Sequence, residues 1–238
     1  MGADLAEAEL PLGAYPSLGD FFARRLRDGA RTVDPAPDAI VAPCDGVIAA
    51  IGTADEGLLF QAKGRDYRLG DLLADEAWAA ALTGGAYATI YLSPRDYHRV
   101  HTPADAQLTA YEYVPGLLFP VMPRVVNRVD GVFARNERVI IQLDSRTLGK
   151  VAVVMVGAAG VGNIVVTHGP SSASLRKAHE RRRVEVGSRL ERGDELGAFR
   201  LGSTVILVFE PGRATLAGSI GQAVKFGERM GSAIGGRA

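Results

Sequence analysis

The sequence predicts a mainly β protein of the α+β class: a single β-rich domain with barrel-sandwich-like elements and a few flanking helices. Three observations carry this. Strand-sized apolar runs recur along the chain between Gly, Pro and Asp turns. Helical periodicity is confined to two short stretches. No low-complexity segment divides the 238 residues, so residues 1–238 read as one domain, and an apolar content of 47% suffices for one large core.

Taken in order, Ser17 is placed to cap a helix over LGDFFARRLR. The Pro-rich stretch VDPAPDAIVAPCDG reads as an extended lead-in to the strand GVIAAIG. Ala and Leu at helical spacing in RLGDLLADEAWAAALTG predict a second helix ending at a Gly. Strands are then expected at YATIYLS, RVIIQLD, KVAVVMVGAAG, NIVVTHG and STVILVFEPG. A faint echo links APCDGVIAAIG with FQAKGRDYRLGDLL to VGSRLERGDELGAFRLGSTVILVFEPG. Each combines short strands, a Gly-Asp turn and a return strand, as barrel-sandwich folds of the lipoyl and biotinyl type do.

Composition excludes several function classes. Twenty-seven basic residues balance twenty-seven acidic ones, so no global field favours nucleic acid. The single cysteine, Cys44, rules out an intrachain disulfide framework and a cysteine-rich zinc site, and fits a reducing compartment. The N-terminal stretch lacks the basic flank and apolar core of a secretory signal. The most apolar window, Val151 to Val166, is too short and too rich in glycine for a membrane span. Membrane contact is therefore expected to be peripheral.

Chemistry gathers at three places. LSPRDYHRVHTP sets His98 and His101 three residues apart, a spacing that puts both imidazoles on one face if the stretch is a helical turn. APCDGVI offers Asp45 in a turn before a strand, and FRLGSTVILVFEPG sets Gly202 and Ser203 at the mouth of an apolar run. Each alone is what ordinary turns and surface histidines look like. Together Asp45, His101 and Ser203 supply an acid to orient an imidazole, an imidazole to take a proton, and an oxygen nucleophile. A zinc site at the histidine pair would need further ligands, with His168 and Asp45 the available ones, and no further ligand-spaced motif exists. A serine hydrolase would use the same types, although Ser203 is not in a Gly-x-Ser-x-Gly elbow. A non-catalytic barrel-sandwich carrier or metal-binding module is the third class.

The segments FFARRLRDGARTVD, APCDGVIAAIG, LSPRDYHRVHTP, YVPGLLFPV, FARNERV and GDELGAFRLGSTV occur in an order and spacing that resembles the phosphatidylserine decarboxylases, pyruvoyl-dependent enzymes of bacteria and mitochondria. The resemblance runs from about Leu18 to the end of the chain. It implies a proenzyme that cuts itself at Gly202-Ser203 into a β chain of residues 1–202 and an α chain of residues 203–238 that stay associated. Ser203 would become the pyruvoyl group, the only cofactor, with no metal. The same resemblance assigns Asp45, His101 and Ser203 to self-processing, with His101 as base and Asp45 as its orienter, and His98 to decarboxylation and reprotonation. The pyruvoyl ketone would form a Schiff base with the substrate amine and act as electron sink, giving phosphatidylethanolamine. A homodimer at the cytoplasmic face of the cell membrane is also implied.

A lipid substrate needs a way in. In YVPGLLFPVMPR, the side chains Leu117, Leu118, Phe119, Val121 and Met122 between prolines form an apolar loop, flanked by Arg124, suited to gripping acyl chains or dipping into the interface of the anionic membrane surface that a phosphatidylserine substrate implies; an ordinary core-covering loop would look the same. Where the family typically reads Val-Asn after this loop, the chain has Val121-Met122. The basic run RKAHERRRVEVGSRLER has the charge to attract anionic lipid, but its interleaved glutamates favour a solvated hairpin.

Overall fold

A computed structural model describes residues 2–62, 65–159, 164–167, 180–200 and 203–235. The first third of the chain forms α1 (Leu18–Phe22), β1 (Ala39–Val41), β2 (Gly46–Thr53), the hairpin strands β3 (Leu58–Ala62) and β4 (Arg65–Arg68), α2 (Leu69–Leu73) and α3 (Glu76–Leu82). The middle supplies β5 (Ala86–Leu92), β6 (Arg99–His101), β7 (Ala106–Val114), α4 (Pro123–Val126), α5 (Val132–Arg135), β8 (Arg138–Ser145) and β9 (Gly149–Val156). Then come β10 (Ile164–Val166), β11 (Arg182–Leu190), β12 (Glu195–Phe199), β13 (Ser203–Phe209), β14 (Ala214–Leu216), β15 (Ala223–Val224) and β16 (Arg229–Ala233).

Eight strands make one antiparallel sheet in the order β11-β7-β8-β9-β13-β5-β2-β15. Two three-stranded sheets, β1-β16-β14 and β10-β12-β6, and the β3-β4 hairpin complete the described strands. The fold is mainly β with short helices, as the apolar runs predict, and none of these sheets closes into a barrel. Every residue of β13 is buried, because β9 and β5 bond to its two edges while its faces are packed. An uninterrupted run of Val, Ile, Leu and Phe is the sequence such a central strand requires.

Both predicted helices are shorter than the sequence pattern. Ser17 caps α1 as expected, its Oγ accepting from Asp20 N at 3.1 Å, but the helix stops at Phe22 rather than continuing through Arg27. Arg24 has turned inward, and its guanidinium bonds to backbone carbonyls of a distant turn instead of extending a solvated helical face. The second stretch breaks at Ala74, which adopts a left-handed φ of 51°. Asp75 then starts α3 afresh, accepting from Ala77 N and Trp78 N at 3.0 Å. The basic run is not a hairpin where it is described: β11 is the charged edge strand of the large sheet, the pattern expected of an edge that resists further pairing.

Candidate active site

Ser203 opens β13 opposite Leu92 of β5. It is fully buried, and among the described residues its Oγ finds no hydrogen-bond partner. A buried hydroxyl left unpaired costs on the order of 1–3 kcal/mol, and the Thr204 hydroxyl beside it is buried and unpaired in the same way among the described residues. Gly202 and His168 lie outside the described residues.

The histidine motif is not a helical turn. Asp96 closes a tight turn, its Oδ2 accepting from Ser93 N at 2.7 Å, and the chain then runs extended into β6. His98 and His101 therefore have separate surroundings. Nδ1 of His98 lies 2.8 Å from the Asp96 carbonyl. A carbonyl only accepts, so Nδ1 carries the proton and the neutral ring presents the Nε2 lone pair. That Nε2 is buried and has no partner among the described residues. The Phe22 ring meets the imidazole edge-on, with centroids 5.1 Å apart.

His101 is set by a different carbonyl. Its Nδ1 donates to Gly193 O at 2.8 Å, leaving Nε2 to accept from the Tyr97 hydroxyl at 3.0 Å. Gly193 has a φ of 93°, a conformation open to glycine, and this aims its carbonyl at the ring. Phe226 stacks on His101 with centroids 3.7 Å apart and planes 14° from parallel. Burial pushes both imidazoles from an ordinary 6.5 down to about 4. Each is thus a neutral, desolvated base at physiological pH.

Asp45 precedes Gly46, where an added Cβ would fall 2.6 Å from the Tyr91 carbonyl; only glycine lets β2 approach β5 this closely. The Asp45 carboxylate accepts from Arg31 through Nε at 3.1 Å and through Nη2, and from Phe226 N at 2.9 Å. Arg31 Nη2 also reaches Glu7 at 2.9 Å, and that contact holds the Glu7 carboxyl near 2. Asp45 and His101 thus meet on opposite sides of one residue: the carboxylate holds the Phe226 amide, and the Phe226 ring covers the imidazole. Among the described residues no hydrogen bond joins Asp45 to His101, or either of them to Ser203. Among the same residues no three His, Cys, Asp or Glu side chains gather as a metal site.

Arg31, Tyr97 and Phe226 are the residues the sequence reasoning did not single out. Arg31 and Tyr97 lie inside two of the motifs that carry the family resemblance, which was the available signal. Phe226 offered none, since its role depends on a fold that returns it to the site from the far end of the chain.

The apolar loop divides. Leu117 and Met122 are 50% and 46% exposed, Leu118 and Phe119 are half-buried, and Val121, at 5%, belongs to the core. Asn136 ties the loop down, accepting from Phe119 N at 3.0 Å and donating to the carbonyls of Phe119 and Gly157 at 2.8 and 2.9 Å. Beside it opens a mostly apolar pocket of about 250 Å³ lined by Val47, Tyr91, Val121, Val126, Thr204 and Ile220, among others. Thr204 directly follows Ser203, so the pocket reaches the head of β13.

A buried serine hydroxyl with no partner among the described residues, and two desolvated neutral imidazoles, are the chemical types of an enzyme site. The chain belongs to the phosphatidylserine decarboxylase family, whose model, described as phosphatidylserine decarboxylase, matches residues 18–232. It is 46% identical over 240 residues to a phosphatidylserine decarboxylase proenzyme of Anaeromyxobacter sp. (strain K), covering 100% of this chain and 84% of that protein. Proteins of the same name from Brevibacillus brevis and Myxococcus xanthus are 43% and 41% identical, over 87% and 96% of this chain and 75% and 82% of theirs. The family places the chain among decarboxylases rather than serine hydrolases or carrier modules.

Proposed function

We propose that this chain is the precursor of a pyruvoyl-dependent enzyme that decarboxylates phosphatidylserine to phosphatidylethanolamine after cutting itself at Gly202-Ser203. The observation that carries this reading is Ser203: a fully buried hydroxyl with no partner among the described residues, at the head of the central strand of a chain that belongs to the phosphatidylserine decarboxylase family. Its Oγ attacks the Gly202 carbonyl and replaces the amide by an ester. Removal of the Ser203 α proton then breaks the Cβ–O bond and frees residues 1–202 with a C-terminal carboxylate. The dehydroalanine left at position 203 takes up water and loses ammonia, giving the ketone. His101, neutral and desolvated, serves as the base; Asp45 supports it through Phe226.

The two chains would remain together without a covalent link, because β13 is bonded on both edges by strands of the longer chain. When formed, the pyruvoyl group supplies an electrophilic carbonyl that withdraws electrons as carbon dioxide leaves. His98 contributes the Nε2 lone pair, which takes and returns a proton. The apolar pocket, with Leu117, Met122 and Ile220 exposed at the surface, supports entry of an acyl-bearing substrate from a membrane. No described helix is long and apolar enough to cross a bilayer.

Intact-mass measurement tests the reading. Wild-type protein should separate under denaturing conditions into two pieces divided at Gly202-Ser203, the smaller blocked at its N-terminus, and should release carbon dioxide from phosphatidylserine vesicles. Ser203→Ala should remain one chain without activity. A stable uncut wild type that turns over phosphatidylserine would sink the mechanism.

A further inference from the structure

Arg24 is a buried cation that the mechanism above leaves unused. It is 4% exposed and forms no ion pair among the described residues. Burying a guanidinium without a carboxylate is costly, so a fold that keeps one there gains something from its position. Its Cζ sits 4.9 Å from the centroid of the Phe21 ring, and Nη1 donates to the Phe21 carbonyl at 3.4 Å. Nη2 donates at 3.1 Å to two carbonyls of the histidine motif, Arg95 O and Asp96 O.

Asp96 O is also the acceptor that fixes His98. One carbonyl thus takes Arg24 Nη2 at 3.1 Å and His98 Nδ1 at 2.8 Å. The arrangement does two things. It immobilises the oxygen that selects the Nδ1-protonated tautomer, leaving the Nε2 lone pair free in the site. It also holds a positive charge behind the ring, where a second proton on the imidazole would be opposed by Coulomb repulsion across a poorly screened interior. We propose that Arg24 is a positioning residue for His98, setting both its tautomer and its protonation through the shared Asp96 carbonyl. This rests on the assignment of His98 to the decarboxylation reaction.

The charges around His98 give the expected direction. Arg24 comes from the end of α1, Asp96 from the turn before His98, and Asp45 from the loop before β2. Burial, with Phe22 against the ring, opposes the protonated form most and Arg24 adds to it, while both carboxylates favour it. Removing the cation should therefore move the acid limb of decarboxylation to higher pH.

The experiment uses the full chain, with turnover of short-chain phosphatidylserine normalised to the fraction of molecules cut at 202–203. Arg24→Gln should lower kcat at least tenfold with little change in KM and shift the acid limb upward. Arg24→Lys should keep the limb within a few tenths of a pH unit of wild type. Selective ¹⁵N-histidine NMR on the uncut Ser203→Ala chain, with His98 assigned by loss of its signals in His98→Gln, reads the tautomer without any turnover. Wild-type His98 should be protonated at Nδ1 alone, and Arg24→Gln should give a mixture.

An Nε2-protonated wild type would overturn the proposal without recourse to an Arg24 variant, so it stands or falls even if Arg24→Gln does not fold. An acid limb that stays fixed in Arg24→Gln while melting temperature falls would also overturn it, leaving Arg24 a structural clamp. Loss of His98 with no effect on turnover would instead refute the assignment of His98, a result distinct from either.

Discussion

At the scale of single residues, the site is organised by backbone groups as much as by side chains. Gly193 O and Asp96 O each select a tautomer, and the Phe226 amide gives Asp45 a fixed acceptor role. The sequence brought Asp45, His101 and Ser203 forward as a combination of carboxylate, imidazole and hydroxyl, each ordinary alone, and the family resemblance added the role of His98. A carbonyl carries no such label. That His101 leans on Gly193 rather than Asp45 in this structure could not be read before the strands were placed. The arrangement predicts that Phe226→Ala slows self-cleavage by at least about tenfold, since it strips one face of the base and leaves both of its hydrogen bonds to wander. A gel time course of freshly synthesised chain measures this, and Phe226→Tyr, which restores the stacked ring, should recover most of the rate. Equal rates for all three proteins would show that the stack is irrelevant to processing.

At the scale of elements, strands were more legible than helices because a buried central strand such as β13 has no sequence that competes with it. The helical stretches misled at their ends. Arg24 fits a helix by propensity and leaves it for tertiary hydrogen bonds, and a single left-handed residue, Ala74, divides what periodicity reads as continuous. The apolar loop shows the same limit, since its composition does not say which side chains face out. The structure separates them, and two predictions follow that split. Leu117→Ser with Met122→Ser should weaken partitioning onto anionic vesicles while leaving processing and melting temperature near wild type, because both side chains are half exposed. Val121→Ser should lower stability by roughly 1.5–3 kcal/mol, read from chemical denaturation, because it removes a core side chain. Vesicle binding unchanged in the double variant would remove this loop from the membrane-facing surface. Asn136→Ala falls between these cases: it deletes three hydrogen bonds made by a fully buried amide, so it should cost roughly 1–3 kcal/mol and loosen the Phe119 segment.

At the scale of the whole molecule, burying two histidines as neutral bases ties folding to pH. In the folded chain His98 and His101 titrate near 4, against an ordinary 6.5 when unfolded. Between those values the unfolded chain binds more protons than the folded one, so stability rises with pH across this window and is lost as the solution is acidified from about 6.5 toward 4. The separation is worth roughly 3 kcal/mol for each histidine. Above about pH 7.5, where the unfolded rings are also neutral, neither contributes any slope. Self-cleavage follows the folded values instead, and its rate should stay level from pH 8 to about 5 before falling as His101 takes a proton. Urea denaturation of the Ser203→Ala chain at several pH values reads the first effect, and His98→Gln, which has only His101 left to titrate in the site, should show about half the slope. The second is read by following cleavage of wild type after a pH jump. A processing rate that halves near 6.5 would mean that His101 is solvated in the precursor, and a stability curve flat from 7 to 4.5 would mean that neither imidazole is buried as described.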